Sequence, residues 1–193
     1  TAQDVVVRVV KLSETAMSTC GIKAITVDAQ NGIRPTPAKA RKIEFIGDSI
    51  TEGVLIDVDY TAQPENLIDQ FNRPYQDDNC ATYAALTAAH FGADYNLISH
   101  SGRGLVRNYG DAQQLSDPTT TMSARAFRLY DEDPDSAWDF AKSPYRPDAI
   151  VITLGTNDFS IHTPPTEEQY IAGYRALIAK LREAWGAEIP VLC

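Results

Sequence analysis

Hydrophobic and polar positions follow two rhythms along the chain. Residues 4–12 (DVVVRVVKL) and 20–28 (CGIKAITVD) are dense in β-branched side chains, and each predicts a strand. Ile22, Ala24 and Thr26 alternate against Lys23, Ile25 and Val27, and Asn31-Gly32 is a turn signal. Two strands joined without a helix read as a piece of antiparallel sheet, and two strands alone bury no core. Residues 34–40 carry Pro35 and Pro37 without periodicity and predict a linker.

From Arg41 the rhythm changes. Residues 41–47 (RKIEFIG) predict a strand ended by Gly47, and residues 95–100 (YNLISH) predict the next. Between them residues 80–91 form an Ala- and Leu-rich helix, entered at Asp78-Asn79 and closed at Gly92. Residues 148–154 (DAIVITL) are almost continuously apolar, the pattern of a parallel strand covered on both faces. Residues 166–185 predict a long helix with Tyr170, Tyr174, Leu177, Ile178 and Leu181 as its apolar stripe, and residues 189–193 open a further strand. This alternation predicts a parallel, doubly wound α/β sheet, with ligands at the carboxyl ends of its strands.

Two connections are long. Residues 55–78 are polar and carry Tyr60, Phe71 and Tyr75, which either line a sugar-binding rim or pin the loop to the core. Residues 109–147 are loop-like, with a short helix expected over 122–130 and Trp138 and Phe140 docking it to the body.

Composition narrows the function. At 193 residues and 44% hydrophobic content, the chain makes one well-buried domain with residues to spare. A net charge of −9 argues against nucleic acid or an anionic membrane as partner and fits neutral substrates such as sugars. No apolar run reaches the roughly 20 residues of a bilayer span, and no signal peptide is visible in the sequence, so either a cytoplasmic protein or an N-terminus that has been removed is expected. Cys20, Cys80 and Cys193 are widely spaced with no CxxC, so at most one disulfide forms and no zinc motif exists.

The candidate chemistry sits at the strand ends. Ser49 follows the first strand, where its hydroxyl is exposed and nearby N–H groups are free; alternatively Asp48 or Ser49 only caps a helix. Acyl transfer needs a nucleophile and donors for the oxyanion. The N–H groups of Ser49 and Gly102 and the side-chain amide of Asn157 are the available donors, at three successive strand ends. Thr51 stands where the G-x-S-x-G elbow needs its second glycine. There is also no dinucleotide fingerprint or phosphate-binding lysine loop.

Gly47-Asp48-Ser49-Ile50, Ser101-Gly102 and Gly155-Thr156-Asn157-Asp158, in that order, resemble the first three sequence blocks of GDSL-type (SGNH) esterases. The resemblance implies a flavodoxin-like α/β/α sandwich and hydrolysis of acyl esters without cofactor or metal. It makes Ser49 the nucleophile, has Gly102 and Asn157 complete the oxyanion hole, and has Asp48 fix the turn. Residues 42–51 and 101–108 (SGRGLVRN) are further similar to carbohydrate esterase family two. That likeness implies removal of acetyl groups from xylan or glucomannan, with an acetylated polysaccharide or oligosaccharide as partner and a secreted, periplasmic or cell-surface location. It also implies that residues 1–33 end a β-sandwich (jelly-roll) domain, 34–40 link, and 41–193 form the esterase domain. The family's base is a histidine in a later block, so a chain incomplete at its C-terminus is expected. Of the histidines present, His90 compensates a helix dipole, His100 packs or hydrogen-bonds near Gly102, and His162 lies on a loop at the active edge. Two other readings are a lipase or lysophospholipase-type esterase, and a non-catalytic carbohydrate-binding protein on an esterase fold.

Overall fold

The computed structural model describes residues 5–13, 20–27, 32–59, 61 and 76–193. Four parallel strands, β1 (Arg41–Gly47), β2 (Ala93–Ser99), β3 (Ala149–Thr153) and β4 (Val191–Leu192), form one sheet in the order β2-β1-β3-β4. The helices are α1 (Ser49–Glu52), α2 (Tyr83–His90), α3 (Met122–Arg125) and α4 (Glu167–Trp185). Alternation along β1 divides the core in two. Phe45 points to Ala84 and Ala88 of α2, and Ile46 to a second cluster that holds Leu177 and Leu181 of α4. The result is an α/β/α arrangement, with α2 and α4 on opposite faces of the sheet and β1 and β3 inside it.

Local chemistry sets the boundaries. α4 opens on a capping box, with Thr166 accepting from the Gln169 N–H and Gln169 accepting from the Thr166 N–H. α2 starts later than residue 80 because the Asp78 carboxylate takes the Cys80 N–H at 2.8 Å in a turn, leaving Thr82 as the cap. The helix expected over 122–130 is only Met122–Arg125. Phe140 docks this region as expected, its ring 5.7 Å from Phe127 and 4.9 Å from Trp185. Trp138 joins through its main chain, its N–H on the Phe127 carbonyl at 2.9 Å.

The two N-terminal strands do not form among the described residues. Residues 5–13 and 20–27 carry no strand, and Val5, Val6, Val7, Ile22 and Ile25 are exposed. β-branched residues favour a pleated surface, but a strand exists only where a neighbour takes its N–H and C=O groups. This segment touches the body at Arg8, which donates to the Tyr95 hydroxyl at 3.2 Å, and at Lys11, whose carbonyl accepts from Asn79 at 2.7 Å. Tyr60, Phe71, Tyr75 and Asn31 lie outside the described residues. The three thiols are free, and no described helix is long and apolar enough to cross a membrane.

Candidate active site

Gly47 at the end of β1 pairs with Ser99 of β2 and Thr153 of β3, so the turns after these strands lie side by side at the carboxyl edge. In the first turn Asp48 is the cap of α1, its Oδ1 accepting the Ile50 N–H at 3.0 Å, and Ser49 is the first helical residue. Cap and candidate nucleophile are therefore neighbours rather than rival readings of one residue. Ser49 is half-buried, and no described residue hydrogen-bonds its hydroxyl or its N–H. Thr51 anchors the turn from beneath: its Oγ1 lies 2.9 Å from the Tyr83 hydroxyl, which donates to Thr153 Oγ1 at 2.8 Å. A Cβ on Gly47 would fall 1.9 Å from Thr51 Oγ1, so only glycine fits under this helix.

The second turn holds Gly102 at a φ of +74°, a conformation glycine adopts freely. Its carbonyl accepts from Tyr109 at 2.8 Å, and its own N–H has no partner among the described residues. The strap that follows is held by Asp158, which is fully buried. Asp158 Oδ2 accepts from the Leu105 N–H at 2.9 Å, and Oδ1 accepts from Val106 at 2.8 Å and Arg107 at 2.9 Å. Arg107, also fully buried, spends its five N–H donors on the carbonyls of Gln113, Asp158, Asp111 and Ile161 and on the Ser160 hydroxyl.

The third turn brings Asn157 against the other two. Its amide donates to the Arg103 carbonyl at 2.8 Å and to Asp48 Oδ2 at 3.3 Å, so both its protons have acceptors. Burial pushes the Asp48 carboxyl above the usual carboxylate range, a shift opposed by the Ile50 N–H and reinforced by the charge of Asp158.

None of the three histidines hydrogen-bonds Ser49. His100 is buried and hydrogen-bonded, as expected, with Nδ1 2.8 Å from the Ser101 carbonyl and Nε2 2.9 Å from Glu132. His90 ends α2 and packs edge-on against Phe91. His162 is exposed, sits at a φ of +71°, and makes no hydrogen bond among the described residues. His100, Asp131 and Glu132 have the donor types of a metal site. However, Arg125 Nη1 already lies 2.5 Å from Asp131 and 3.2 Å from Glu132, so a cation is held there by the protein itself. Sequence reasoning gave no role to Arg107 or Asp158. A signal existed, since both lie within the glycine-marked turns, but their partners are mainly distant in sequence.

A family model described as the GDSL-like Lipase/Acylhydrolase family matches residues 45–193. Among curated proteins, the cellulase/esterase CelE of Acetivibrio thermocellus is 37% identical over 77% of this chain and 16% of its own length. An acetylxylan esterase / glucomannan deacetylase of Cellvibrio japonicus is 30% identical over 91% of this chain and 48% of its own. The chain thus spans less than half the length of these relatives. Among solved structures, a carbohydrate esterase family 2 enzyme with a carbohydrate binding domain from Corynascus thermopiles (Myceliophthora fergusii) is similar with a TM-score of 0.69 and 30% identity. The match covers 82% of this chain and 46% of that one. A family two carbohydrate esterase from Clostridium thermocellum, solved with cellohexaose, is similar with a TM-score of 0.68 and 31% identity. That match covers 82% of this chain and 44% of the other.

Proposed function

The chain belongs to the GDSL-like lipase/acylhydrolase family, and from that premise we propose that it carries the esterase unit of a carbohydrate esterase that removes O-acetyl groups from polysaccharide. The observation that carries this is the first two turns of the carboxyl edge. The Ser49 hydroxyl and the main-chain N–H groups of Ser49 and Gly102, on turns that follow paired strands, have no partner among the described residues. Ser49 Oγ attacks the acetyl carbonyl, and the developing oxyanion accepts from these two N–H groups. Asn157 adds a third donor by releasing its longer bond, the 3.3 Å contact to Asp48. A general base takes the serine proton and returns it to the departing sugar oxygen; family resemblance assigns that role to a histidine of a later block. Water then hydrolyses the acetyl-enzyme and frees Ser49. The acetylxylan esterase of Cellvibrio japonicus and the family two structures support acetylated xylan or glucomannan as substrate class. Such a polymer is met outside the cell, which supports a secreted or cell-surface protein.

The test is hydrolysis of 4-nitrophenyl acetate by the protein at its natural length, with and without Ser49→Ala. The substitution is expected to lower kcat by about 10³-fold or more, leaving only binding and oxyanion contributions. Equal rates would overturn the assignment of Ser49.

A further inference from the structure

Arg103 follows Gly102 directly, and its carbonyl receives the Asn157 amide at 2.8 Å. Its side chain differs from that of Arg107, four residues on, which is fully partnered. Arg103 Nε is buried and bonds nothing, and no described residue accepts from its guanidinium. Buried polar atoms in folded proteins almost always have partners, so an unpaired one beside a candidate active site calls for a ligand or water. Arg103 lines a cavity of about 490 Å³, whose other lining residues include Asn108, Asp111, Gln113, Ser116 and Asp117.

Those walls also carry unused groups. Asp111 Oδ2 accepts from the Ser116 hydroxyl while its Oδ1 has no partner among the described residues. Asp117 Oδ1 accepts from the Thr119 N–H at 2.9 Å and its hydroxyl at 2.8 Å, and Oδ2 has no partner among the described residues. The Gln113 side-chain amide likewise has no partner among the described residues. The walls are set in advance, because Arg107 holds the carbonyls of Asp111 and Gln113 from behind. Two carboxylates lining the same cavity as one arginine disfavour an anion. A sugar ring presents hydroxyls that donate and accept at once, matching a cavity lined by one arginine donor and two carboxylates. With no aromatic side chain among the lining residues, recognition there runs through hydroxyl edges rather than ring stacking.

We propose that this cavity is a sugar subsite adjoining the oxyanion turn, with Arg103 donating to neighbouring hydroxyls and Asp111 and Asp117 accepting from them. The ligand class rests on the carbohydrate-esterase reading above; the site itself rests on the unpaired arginine and the cavity. Two variants test it. Arg103→Met keeps the aliphatic stem and removes the fork. Gln113→Ala removes an exposed amide and keeps the carbonyl that Arg107 uses. The readout is the ratio of kcat/KM on an acetylated xylo-oligosaccharide to kcat/KM on 4-nitrophenyl acetate, which carries no sugar. The ratio is expected to fall about tenfold in Arg103→Met and about two- to threefold in Gln113→Ala, mainly through KM. If Arg103→Met does not fold, Gln113→Ala decides. A wild-type protein active on 4-nitrophenyl acetate, with the ratio unchanged in the variants, overturns the subsite alone. Competitive inhibition by inorganic phosphate that disappears in Arg103→Met, with that ratio unchanged, assigns an anion site and also overturns it. A wild-type protein no more active than Ser49→Ala on either ester overturns the parent reading.

Discussion

At Asp158 three main-chain N–H groups converge on one buried carboxylate. These amides lie in the strap that follows Gly102, so one side chain of the third turn determines the shape of the second. Water cannot replace it, since Asp158 is fully buried and Leu105 with it. Asp158→Ala would leave the amides of Leu105, Val106 and Arg107 without acceptors. Each unsatisfied buried group costs about 1–3 kcal/mol, so a loss of about 3–5 kcal/mol is expected, with partial relaxation of the strap absorbing some of it. Urea unfolding at constant m-value reads this directly, and a loss below about 1 kcal/mol would mean that the strap holds its shape without Asp158. The neighbouring Asn157 acts as a tie instead, since its amide spans from Asp48 to Arg103 and fastens the first turn to the second.

At the scale of elements, the end of β2 is tied to the segment after α3 by a charged cluster. Both ring nitrogens of His100 face acceptors: the Ser101 carbonyl at 2.8 Å on one side, and Glu132 at 2.9 Å and Asp131 at 3.3 Å on the other. Arg125, in the last turn of α3, completes the cluster. Its hydrogen bonds, and then that of His100, hold the Glu132 carboxyl down at about 2, against an ordinary value of 4.5. The folded value lies below the unfolded one, so this stabilisation is complete above about pH 4.5 and disappears as pH falls towards 2. Because the Glu132 side chain is 62% exposed, the contribution is a few tenths to about 1 kcal/mol after solvent screening, or about 2–4 °C in Tm at most. Glu132→Gln is expected to melt below wild type at pH 6 and to approach it as pH falls to about 2. A Tm difference that stayed constant across this range would show that the carboxylate charge contributes nothing.

For the whole molecule, the sequence is readable where structure depends on near neighbours. β1, β3 and α4 were legible because their periodicity and caps lie within a few residues, as with Thr166 and Gln169. The three turns could be aligned in advance because parallel βα alternation places strand ends at one edge. What was not legible depends on distant partners. The valines of residues 5–10 favour a strand but have no neighbour to pair with among the described residues. Arg107 and Asp158 look like ordinary surface charges until residues about 50 positions away close over them. Charge, by contrast, acts over the molecule as a whole. The chain carries a net charge of −9, and screening shrinks its reach from about 30 Å at about 0.01 M salt to about 3 Å at about 1 M. Under the proposed function, a neutral acetylated glucomannan does not feel this field, so its KM is expected to stay within about twofold across that range. An acetylated xylan bearing uronic acids is repelled at low salt, so its KM is expected to fall several-fold as salt is added. Steady-state kinetics on the two polymers at several salt concentrations measures the difference. A KM that rose with salt on the acidic xylan alone would mean that a local cationic surface, rather than the overall negative charge, governs how such a polymer reaches the proposed site.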